Sequence, residues 1–492
     1  MAAHGDHHST NIVPYNPWWP TSNVEDVEKR RLPSFRREPF DEFYTAIQQH
    51  GFSLTIVGPR RVGKSTIMRQ LIDQLLTDGV PPQDILRYQL DDPFFVGAKN
   101  QEDLFEQLLM TWESVRQTPI ANTERHVYCF LDEVQRFPRW ELFVKRMIDL
   151  KWPVTFVLSG SASTTLFRKS RESLLGRVKE YHLTTFSFAE ILLLKKPQFV
   201  DVVRRLQAAG AGWHTSQDHR LLHAEVEAVQ RTLVDTPGEG GSMAFELGAF
   251  LGEYFLWGGF PHVWELQDPR EKQEYLLQNH VEKVIREDLM LVRNIKVPDK
   301  VERLFLHLIH QTGEEVQETR LASESGLQVP IVHEYLDLLE QTDLVTFIPK
   351  FRKKPGIKRT AQKVYATDLA LRNAALKYQS VDDVSDIELG HYAETVVFRT
   401  LREWPGTTEI TYFRERDDEI DFIVSAGRSR MPIEVKYRQH LKKNRAIQRF
   451  AKKHKTRGFV QVTKHDLALL EGDAVSIPLR LFLLLFRSTA TR

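Results

Sequence analysis

The feature that most constrains the fold is a glycine-rich segment, Gly58-Pro59-Arg60-Arg61-Val62-Gly63-Lys64-Ser65. The apolar run before it, residues 52–57, predicts a buried strand, and residues 66–76 predict an amphipathic helix after it. Gly58 and Gly63 let the backbone turn its N–H groups towards a phosphate at the positive end of that helix. This order of strand, glycine loop and helix predicts a phosphate-binding loop. The expected nucleotide contacts are Gly58, Pro59, Arg60, Arg61, Val62, Gly63, Lys64, Ser65 and Thr66.

Two further expectations concern the phosphates of ATP. Lys64 is expected to reach the β- and γ-phosphate oxygens, and Ser65 to bind the accompanying Mg²⁺. A second apolar run, residues 127–131, is continuous, as in a strand covered on both faces of a parallel sheet, and it ends in Asp132 and Glu133. Asp132 is expected to hold Mg²⁺ through water, and Glu133 to polarise the water that attacks the γ-phosphate.

Three more residues follow these motifs at positions where they can act on the nucleotide. The predicted strand 154–158 ends in small hydroxyl residues, of which Ser159 and Ser161 are both in range to sense the γ-phosphate. Arg177 is expected either to neutralise transition-state charge, in the same or a neighbouring subunit, or to form a surface salt bridge. A role in a neighbouring subunit would require a homo-oligomer.

Five segments resemble, in order and wording, AAA-type ATPases of bacteria and archaea that carry a C-terminal winged-helix and nuclease-like region. They are residues 59–65, Leu131-Asp132-Glu133-Val134-Gln135, residues 158–163, Gly176-Arg177 and Phe186-Ser187-Phe188-Ala189-Glu190. The resemblance covers about residues 40–465 and implies an ATPase core. It also implies a role in defence or mobile-DNA handling, without settling the biological task.

The C-terminal pattern of helix, three strands, helix and strand resembles the PD-(D/E)xK nuclease core. In Glu434-Val435-Lys436 the period of two places Glu434 and Lys436 on one face. Asp421 and Glu434 can share Mg²⁺, or Mn²⁺ as an alternative, through oxygen ligands. Lys436 would position or deprotonate the attacking water, and Glu394 would orient water or help to hold a second ion. The alternative is a structural domain that keeps these acids without cutting.

Two segments predict a DNA partner. Residues 437–457 contain many lysines and arginines and no Asp or Glu, which would attract a polyphosphate strand; a solvated basic helix is the alternative. Residues 350–359 form a second basic segment after a predicted winged helix, with helices at 301–311, 319–326 and 329–341 and a strand at 342–351. The third helix carries Glu334, Asp337 and Glu340 and no Lys or Arg, so we expect it to pack rather than to read bases.

The expected fold is α/β: a P-loop AAA-type ATPase with a parallel sheet, then a helical winged-helix region and a mixed α/β PD-(D/E)xK-like domain. A chain of 492 residues has room for several such cores. The insertion is expected to contain helices at 198–210 and 219–234, separated at Gly210-Ala211-Gly212. The expected boundaries are an N-terminal arm packed through its tryptophans (1–40), the ATPase domain (41–194), the helical insertion (195–245), the winged-helix region (246–375) and the nuclease-like domain (385–492).

Composition adds little about partners, because 67 Lys and Arg residues nearly balance 66 Asp and Glu residues. Cys129 is the single cysteine, so no intramolecular disulfide can form, and a cytoplasmic location is the simplest expectation. No apolar run approaches the roughly 20 residues that span a bilayer, so no membrane partner is expected.

The motifs together predict an ATP-controlled, Mg²⁺-dependent DNA nuclease. The alternative is a nucleotide-dependent switch that binds DNA or a protein partner without cleaving. A translocase or helicase is disfavoured, because no helicase motif accompanies the two nucleotide-binding patterns, which all P-loop ATPases share.

Overall fold

The computed structural model describes residues 12–21, 32–49, 53–97, 100–137, 139–161, 177–289, 297–352, 361–416, 418–427, 429–437 and 445–487. The chain forms two compact units, residues 1–184 and residues 185–489. Within the described ranges, no helix is long and apolar enough to cross a membrane.

The first unit is built on a five-stranded, fully parallel sheet in the order β2-β3-β4-β1-β5. Every residue of β1 and β3 is buried, which explains why their apolar runs are continuous rather than alternating. The α/β fold with a parallel sheet is therefore confirmed. The strands are β1 (Ser53–Gly58), β2 (Ile85–Gln89), β3 (Val127–Asp132), β4 (Val154–Ser161) and β5 (Val178–His182). The helices are α1 (Trp18–Thr21), α2 (Phe40–Gln48), α3 (Lys64–Thr77), α4 (Pro93–Val96), α5 (Gln101–Arg116) and α6 (Trp140–Asp149).

The N-terminal segment lies along β2, the strand at one edge of this sheet. The Asn16 side chain donates to the Arg87 carbonyl at 2.9 Å and accepts from the Arg87 N–H at 2.7 Å. The indole N–H groups of Trp18 and Trp19 both donate to the Ile85 carbonyl, at 3.2 and 2.9 Å. The arm therefore packs through its tryptophans, as expected, and it satisfies backbone groups that an edge strand would otherwise expose.

The second unit begins with helices that include the predicted insertion. They are α7 (Phe188–Lys195), α8 (Val200–Ser216), α9 (His219–Asp235), α10 (Met243–Trp257) and α11 (Pro269–Leu276), with the two-residue strands β6 (Pro237–Gly238) and β7 (Gly241–Ser242) between α9 and α10. After α11 the chain continues through π-helical turns at Leu277–Glu282 and Val284–Asp288.

The predicted break at Gly210 was wrong, because α8 runs through it to Ser216. A Cβ on Gly210 would lie 1.8 Å from the Leu485 carbonyl oxygen, so this glycine permits close packing rather than a turn. Three residues further on, the Trp213 ring packs against Trp404 and Phe486, with ring centroids 5.1 and 6.0 Å apart. The insertion thus contributes to the core of the second unit.

The middle of the second unit has the order helix, strand, helix, helix, strand, strand. The three predicted helices are present, and the three short strands form an antiparallel sheet in the order β8-β10-β9. The elements are α12 (Pro298–His310), β8 (Glu315–Val316), α13 (Glu318–Ser325), α14 (Val329–Gln341), β9 (Val345–Pro349), β10 (Gln362–Ala366) and the following helix α15 (Leu369–Leu376).

The C-terminal part is a six-stranded mixed sheet in the order β11-β12-β13-β14-β16-β15. Strands β11, β12 and β13 are antiparallel, whereas β13, β14 and β16 run parallel. Helix α17 packs on the sheet through Phe450, whose ring centroid lies 5.0 Å from that of Phe413. The sequence interpretation missed the last two strands. The elements are α16 (Asp386–Arg402), β11 (Glu409–Glu415), β12 (Asp418–Ala426), β13 (Ser429–Lys436), α17 (Arg445–His454), β14 (Phe459–Thr463), β15 (Ala468–Leu470), β16 (Ala474–Pro478) and α18 (Leu479–Phe482).

Candidate nucleotide and nuclease-like sites

The glycine-rich loop joins β1 directly to α3. Gly58 and Gly63 have φ values of +151° and +93°, and a Cβ on Gly58 would lie 2.0 Å from the Leu183 carbonyl oxygen. Only glycine therefore fits at position 58. The buried Lys64 ammonium donates to the carbonyl oxygens of Gly58 and Pro59, at 3.0 and 2.7 Å. The loop thus places a cation and the first N–H groups of α3 at the carboxyl end of β1, where an anion binds favourably.

The two acids expected beside this loop lie at the end of β3. Asp132 is buried, and Ser159 on β4 donates its hydroxyl to the Asp132 carboxylate and accepts from the Glu133 N–H at 3.5 Å. Ser159, one of the two serines that the sequence left open, therefore meets both acids. The side chain of Ser161 lies outside the described residues, although its backbone pairs in register with Gly58.

Glu133 has the environment of a candidate general base. Burial raises the pKa of its carboxyl, while the nearby Lys64 ammonium opposes that rise. Its φ of +55° belongs to the left-handed region, and the Gln135 amide donates to its carboxylate. Gln135 therefore orients the Glu133 carboxylate, a role that the sequence did not assign although the residue belongs to a quoted motif.

Arg177 does not lie where it could act on a phosphate bound in its own chain. Its guanidinium donates to Asp149 at 2.7 Å in a partly exposed ion pair, and its carbonyl accepts from the Ser53 N–H at 3.2 Å. Ser53 begins β1 and the phosphate-binding loop follows its far end, about 17 Å away at 3.3 Å per residue. The expected role within one subunit was therefore wrong, and the surface salt bridge is what the structure contains. A role in a neighbouring subunit stays a prediction.

The second unit brings together the four residues expected at a nuclease-like centre. Asp421 on β12 and Glu434 on β13 are both buried, and the Val435 N–H donates to the Asp421 carboxylate at 2.8 Å. The Lys436 ammonium contacts the Glu434 carboxylate. Burial and the neighbouring Asp421 charge raise the pKa of Glu434 to about 8, and burial likewise raises the pKa of Glu394 on α16.

Besides Glu419 on β12, sequence reasoning missed a sixth residue of this centre, Lys363 on β10. Its side chain is 4% exposed, and its ammonium lies 2.8 Å from Glu419 and 3.9 Å from both Glu394 and Asp421. The available signal was a lysine at the start of an otherwise apolar strand, Val364-Tyr365-Ala366. We call Lys363, Glu394, Glu419, Asp421, Glu434 and Lys436 the acid cluster.

The chemistry of the acid cluster fits a divalent cation, whereas its arrangement in this structure does not. One buried carboxylate oxygen of Glu394 and one of Glu434 have no hydrogen-bond partner, and neither has the Gln461 amide nitrogen on β14, next to Glu434. Carboxylate oxygens are the ligands that Mg²⁺ and Mn²⁺ prefer. Yet in the described part of the chain no group of three or more His, Cys, Asp or Glu side chains is placed to hold a metal ion. Instead the structure has the Lys363 ammonium among these acids.

The predicted basic face of α17 is smaller than the sequence suggested. Arg449 pairs with Asp418, and Lys453 donates to Glu415 at 3.1 Å. A cleft of about 370 Å³ lies beyond the end of this helix, and none of the residues that line it is acidic. They are Gln217, Ser429, Arg430, His454, Lys455, Thr456 and Arg457. Residues 438–444 and 353–360, which carry other predicted cations, lie outside the described ranges.

A family model matches the region of the chain that contains the first of these two sites. Residues 51–192 match a model described as an AAA domain. This region is therefore an AAA-type ATPase domain, and the expectation of an ATP-binding P-loop protein is confirmed. Residues 249–382 and 389–482 match two domains of unknown function, DUF8612 and DUF4143. The gap between these two matches, residues 383–388, includes the first residues of α16.

Two relatives resemble most of the chain. An uncharacterized protein of Haemophilus influenzae is 22% identical over 407 residues, 82% of this chain and 86% of the relative. An uncharacterized protein of Methanocaldococcus jannaschii is 22% identical over 405 residues, 81% of this chain and 77% of the relative. Among solved structures, AMPPCP-bound DnaA from Aquifex aeolicus has 13% identity and a TM-score of 0.25, covering 61% of this chain and 86% of that chain. A TM-score of that size supports no fold assignment.

Proposed function

We propose that this chain is an ATP-hydrolysing protein whose ATPase cycle controls a Mg²⁺-dependent, nuclease-like domain that acts on DNA. The observation that carries the proposal is the meeting of Asp421, Glu434 and Lys436 on one mixed sheet, in a chain that also carries an AAA-type ATPase domain. These side chains are of the types that metal-assisted phosphodiester hydrolysis uses.

The ATPase site supports hydrolysis with each residue in a distinct role. Lys64 would exchange its contacts with the Gly58 and Pro59 carbonyls for phosphate oxygens, and Ser65 and Asp132 would hold Mg²⁺. Glu133, whose pKa is raised by burial, would accept a proton from the attacking water. Ser159 would hold the Asp132 carboxylate in place through its hydroxyl hydrogen bond.

In the second unit, Asp421, Glu434 and the Val435 carbonyl would hold the divalent cation. When bound, the cation would stabilise negative charge on a phosphate under attack. The Val435 N–H fixes the Asp421 carboxylate, and Lys436 would position the attacking water or, once its own amine is neutral, accept a proton from it. Glu394 would orient that water from α16.

We propose DNA as the partner of this domain. The acid-free cleft that contains Arg430, Lys455 and Arg457 supports phosphate contact, since cations without neighbouring acids attract a polyphosphate strand. The order of elements from α12 to β10 is that of a winged helix. Its α14 buries Val332 and Leu339, which supports a packing role rather than base reading.

A second candidate is a nucleotide-dependent switch that binds DNA or a protein partner without cutting. It is favoured by one observation: the Lys363 ammonium lies 3.9 Å from Asp421 and from Glu394, among the acids that the metal would need. A domain that has lost cleavage could keep the acid cluster as an internal ion-pair network.

The test is incubation of the purified chain with single-stranded, duplex and branched DNA, with Mg²⁺ or Mn²⁺ and with or without ATP. Lys436→Ala should abolish cleavage, and Lys64→Ala should change its dependence on ATP. Lys179→Ala, which changes a lysine on β5 of the first unit, is the control and should cut like the wild type. Intact ATP hydrolysis without cleavage in either metal would reject the nuclease and favour the switch.

A further inference from the structure

Lys363 reaches the acid cluster from a firmly positioned strand. Strand β10 is the middle strand of its sheet, paired on one side with β8 and on the other with β9. Lys363 itself pairs with Glu315 on β8 and with Ile348 on β9. Hydrogen bonding on both sides fixes the backbone at this position, so the lysine stem has little freedom to carry its ammonium elsewhere.

The ammonium is surrounded by negative and electron-rich groups. It contacts Glu419 at 2.8 Å, and it lies 3.9 Å from both Glu394 and Asp421 and 5.6 Å from the centroid of the Tyr412 ring. Carboxylates this close together repel one another in a buried site unless a cation lies among them. The Lys363 side chain supplies that positive charge within the protein.

The two lysines of the cluster differ in their surroundings. The Lys436 side chain is 36% exposed and contacts Glu434, as expected of a group that meets solvent or substrate. The Lys363 side chain is 4% exposed and lies against three carboxylates. Lys363 is therefore placed as a buried counter-ion to the carboxylates rather than as a group that contacts the reacting water.

We propose that Lys363 is an internal counter-ion that occupies the place of a divalent metal in the acid cluster, so that a metal binds there only in competition with its ammonium. This rests on the proposed function in one respect, namely that Asp421 and Glu434 are the metal-binding side chains. It adds a built-in restraint: the Lys363 ammonium already balances part of the negative charge of the cluster, and a metal must displace it to bind.

The test is Mn²⁺ binding to the full chain without nucleotide, followed by electron paramagnetic resonance. Lys363→Met should tighten binding at the cluster by about tenfold or more, because the competing charge is gone. The added binding should disappear in the double variant Lys363→Met with Glu434→Gln, which assigns it to this cluster. Lys363→Arg, which keeps a cation, and Lys452→Met, which removes an exposed lysine, should both bind as the wild type does.

Two results would overturn the inference. One is equal Mn²⁺ affinity in the wild type and Lys363→Met. The other is tight binding of one Mn²⁺ by the wild-type chain, if Glu434→Gln abolishes that binding. This second result needs no Lys363 variant, so it can be obtained even if Lys363→Met misfolds. Cleavage is scored separately. Tighter Mn²⁺ binding by Lys363→Met without DNA cleavage would uphold the inference and reject the nuclease.

Discussion

The two sites of this protein each contain a buried lysine, but the two lysines have different partners. Lys64 donates to two backbone carbonyls, which are neutral. Lys363 lies against three carboxylates. A carbonyl can be exchanged for a phosphate oxygen with a gain in attraction, whereas taking an ammonium away from carboxylates leaves them repelling one another. The first site is therefore arranged to receive an anion, and the second is arranged around a cation that it already has.

The largest expected effect is on stability and concerns the second site. In metal-free buffer, Lys363→Met should lower the free energy of unfolding by about 3–5 kcal/mol, because it leaves buried carboxylates without their cation. Urea denaturation and hydrogen exchange in β12 and β13 would measure it. Lys64→Met is the matched control and should cost less, since its hydrogen bonds are to carbonyls and the charge that it balances is chiefly that of one acid, Glu133. Equal losses of free energy of unfolding in the two variants would contradict the difference between the two lysines.

The next effect is kinetic and concerns the first site. Lys64→Ala should slow steady-state ATP hydrolysis by about 100-fold or more, since the cation that faces the developing phosphate charge is gone. Lys179→Ala is the control. That residue pairs with Leu54 near the start of β1, far from the loop, and should hydrolyse ATP at the wild-type rate. A Lys64→Ala enzyme with most of its activity would mean that the loop is not the catalytic nucleotide site.

Loss of the hydrogen bond that holds the Asp132 carboxylate should have a smaller kinetic effect. Ser159→Ala removes a hydroxyl that donates to Asp132, and it should lower the rate of hydrolysis by about tenfold while ATP binding persists. Ser161→Ala tests the alternative that the sequence left open and should have the weaker effect. If Ser161→Ala were the slower enzyme, the sensing role would belong to that residue.

A single ion pair in the second unit gives a reference for the acid cluster. Arg372 donates to Glu388 at 2.7 Å. Burial raises the pKa of the Glu388 carboxyl, but hydrogen bonds from Arg372 and Ser385 outweigh burial and lower this pKa to about 2. Because the pKa of Glu388 is lowered in the folded state, its contribution to the free energy of unfolding is fully present above the ordinary pKa of 4.5. That contribution is lost as the pH falls towards 2. Glu388→Gln should therefore cost about 1–2 kcal/mol at neutral pH and nothing near pH 2. Urea denaturation across that pH range measures the difference, and a cost independent of pH would contradict the ion pair as its source.

The smallest effect is expected at Arg177. Its ion pair with Asp149 is partly exposed, so Arg177→Ala should change the ATPase rate of dilute protein by less than about twofold. The measurement is ATPase activity per protomer over a range of protein concentrations. A rate that rises with concentration in the wild type but not in the variant would instead establish Arg177 as a contact to a neighbouring subunit.

The nucleotide site could be predicted closely because its chemistry is local. A strand, a glycine loop and a helix are consecutive in the chain, so residues 58–66 needed no knowledge of tertiary structure. Asp421, Glu434 and Lys436 were predictable for a similar reason, since they lie on two strands joined by a short turn. The period of two then decides which side chains share a face.

The misses at Lys363, Arg177 and Gly210 depend on contacts between distant parts of the chain. Lys363 reaches the acid cluster from another sheet, and no local pattern indicates where a lone lysine in an apolar strand will point. Arg177 was placed near the phosphates by its motif, but the register of β5 against β1 puts it at the opposite end of the sheet. Gly210 looked like a break because the close approach of Leu485 cannot be read from residues 205–215.

The hydrogen bonds of the N-terminal arm have a consequence for solubility. Asn16, Trp18 and Trp19 occupy backbone groups of Ile85 and Arg87 on the outermost strand of the first sheet. A version of the chain that started at residue 51 would keep every expected nucleotide contact and still uncover this strand. Open strand edges pair with other chains, so such a truncated protein should self-associate. Aggregation of the truncated protein would then indicate that the edge strand is uncovered. It would not be evidence against the residues assigned to the nucleotide site.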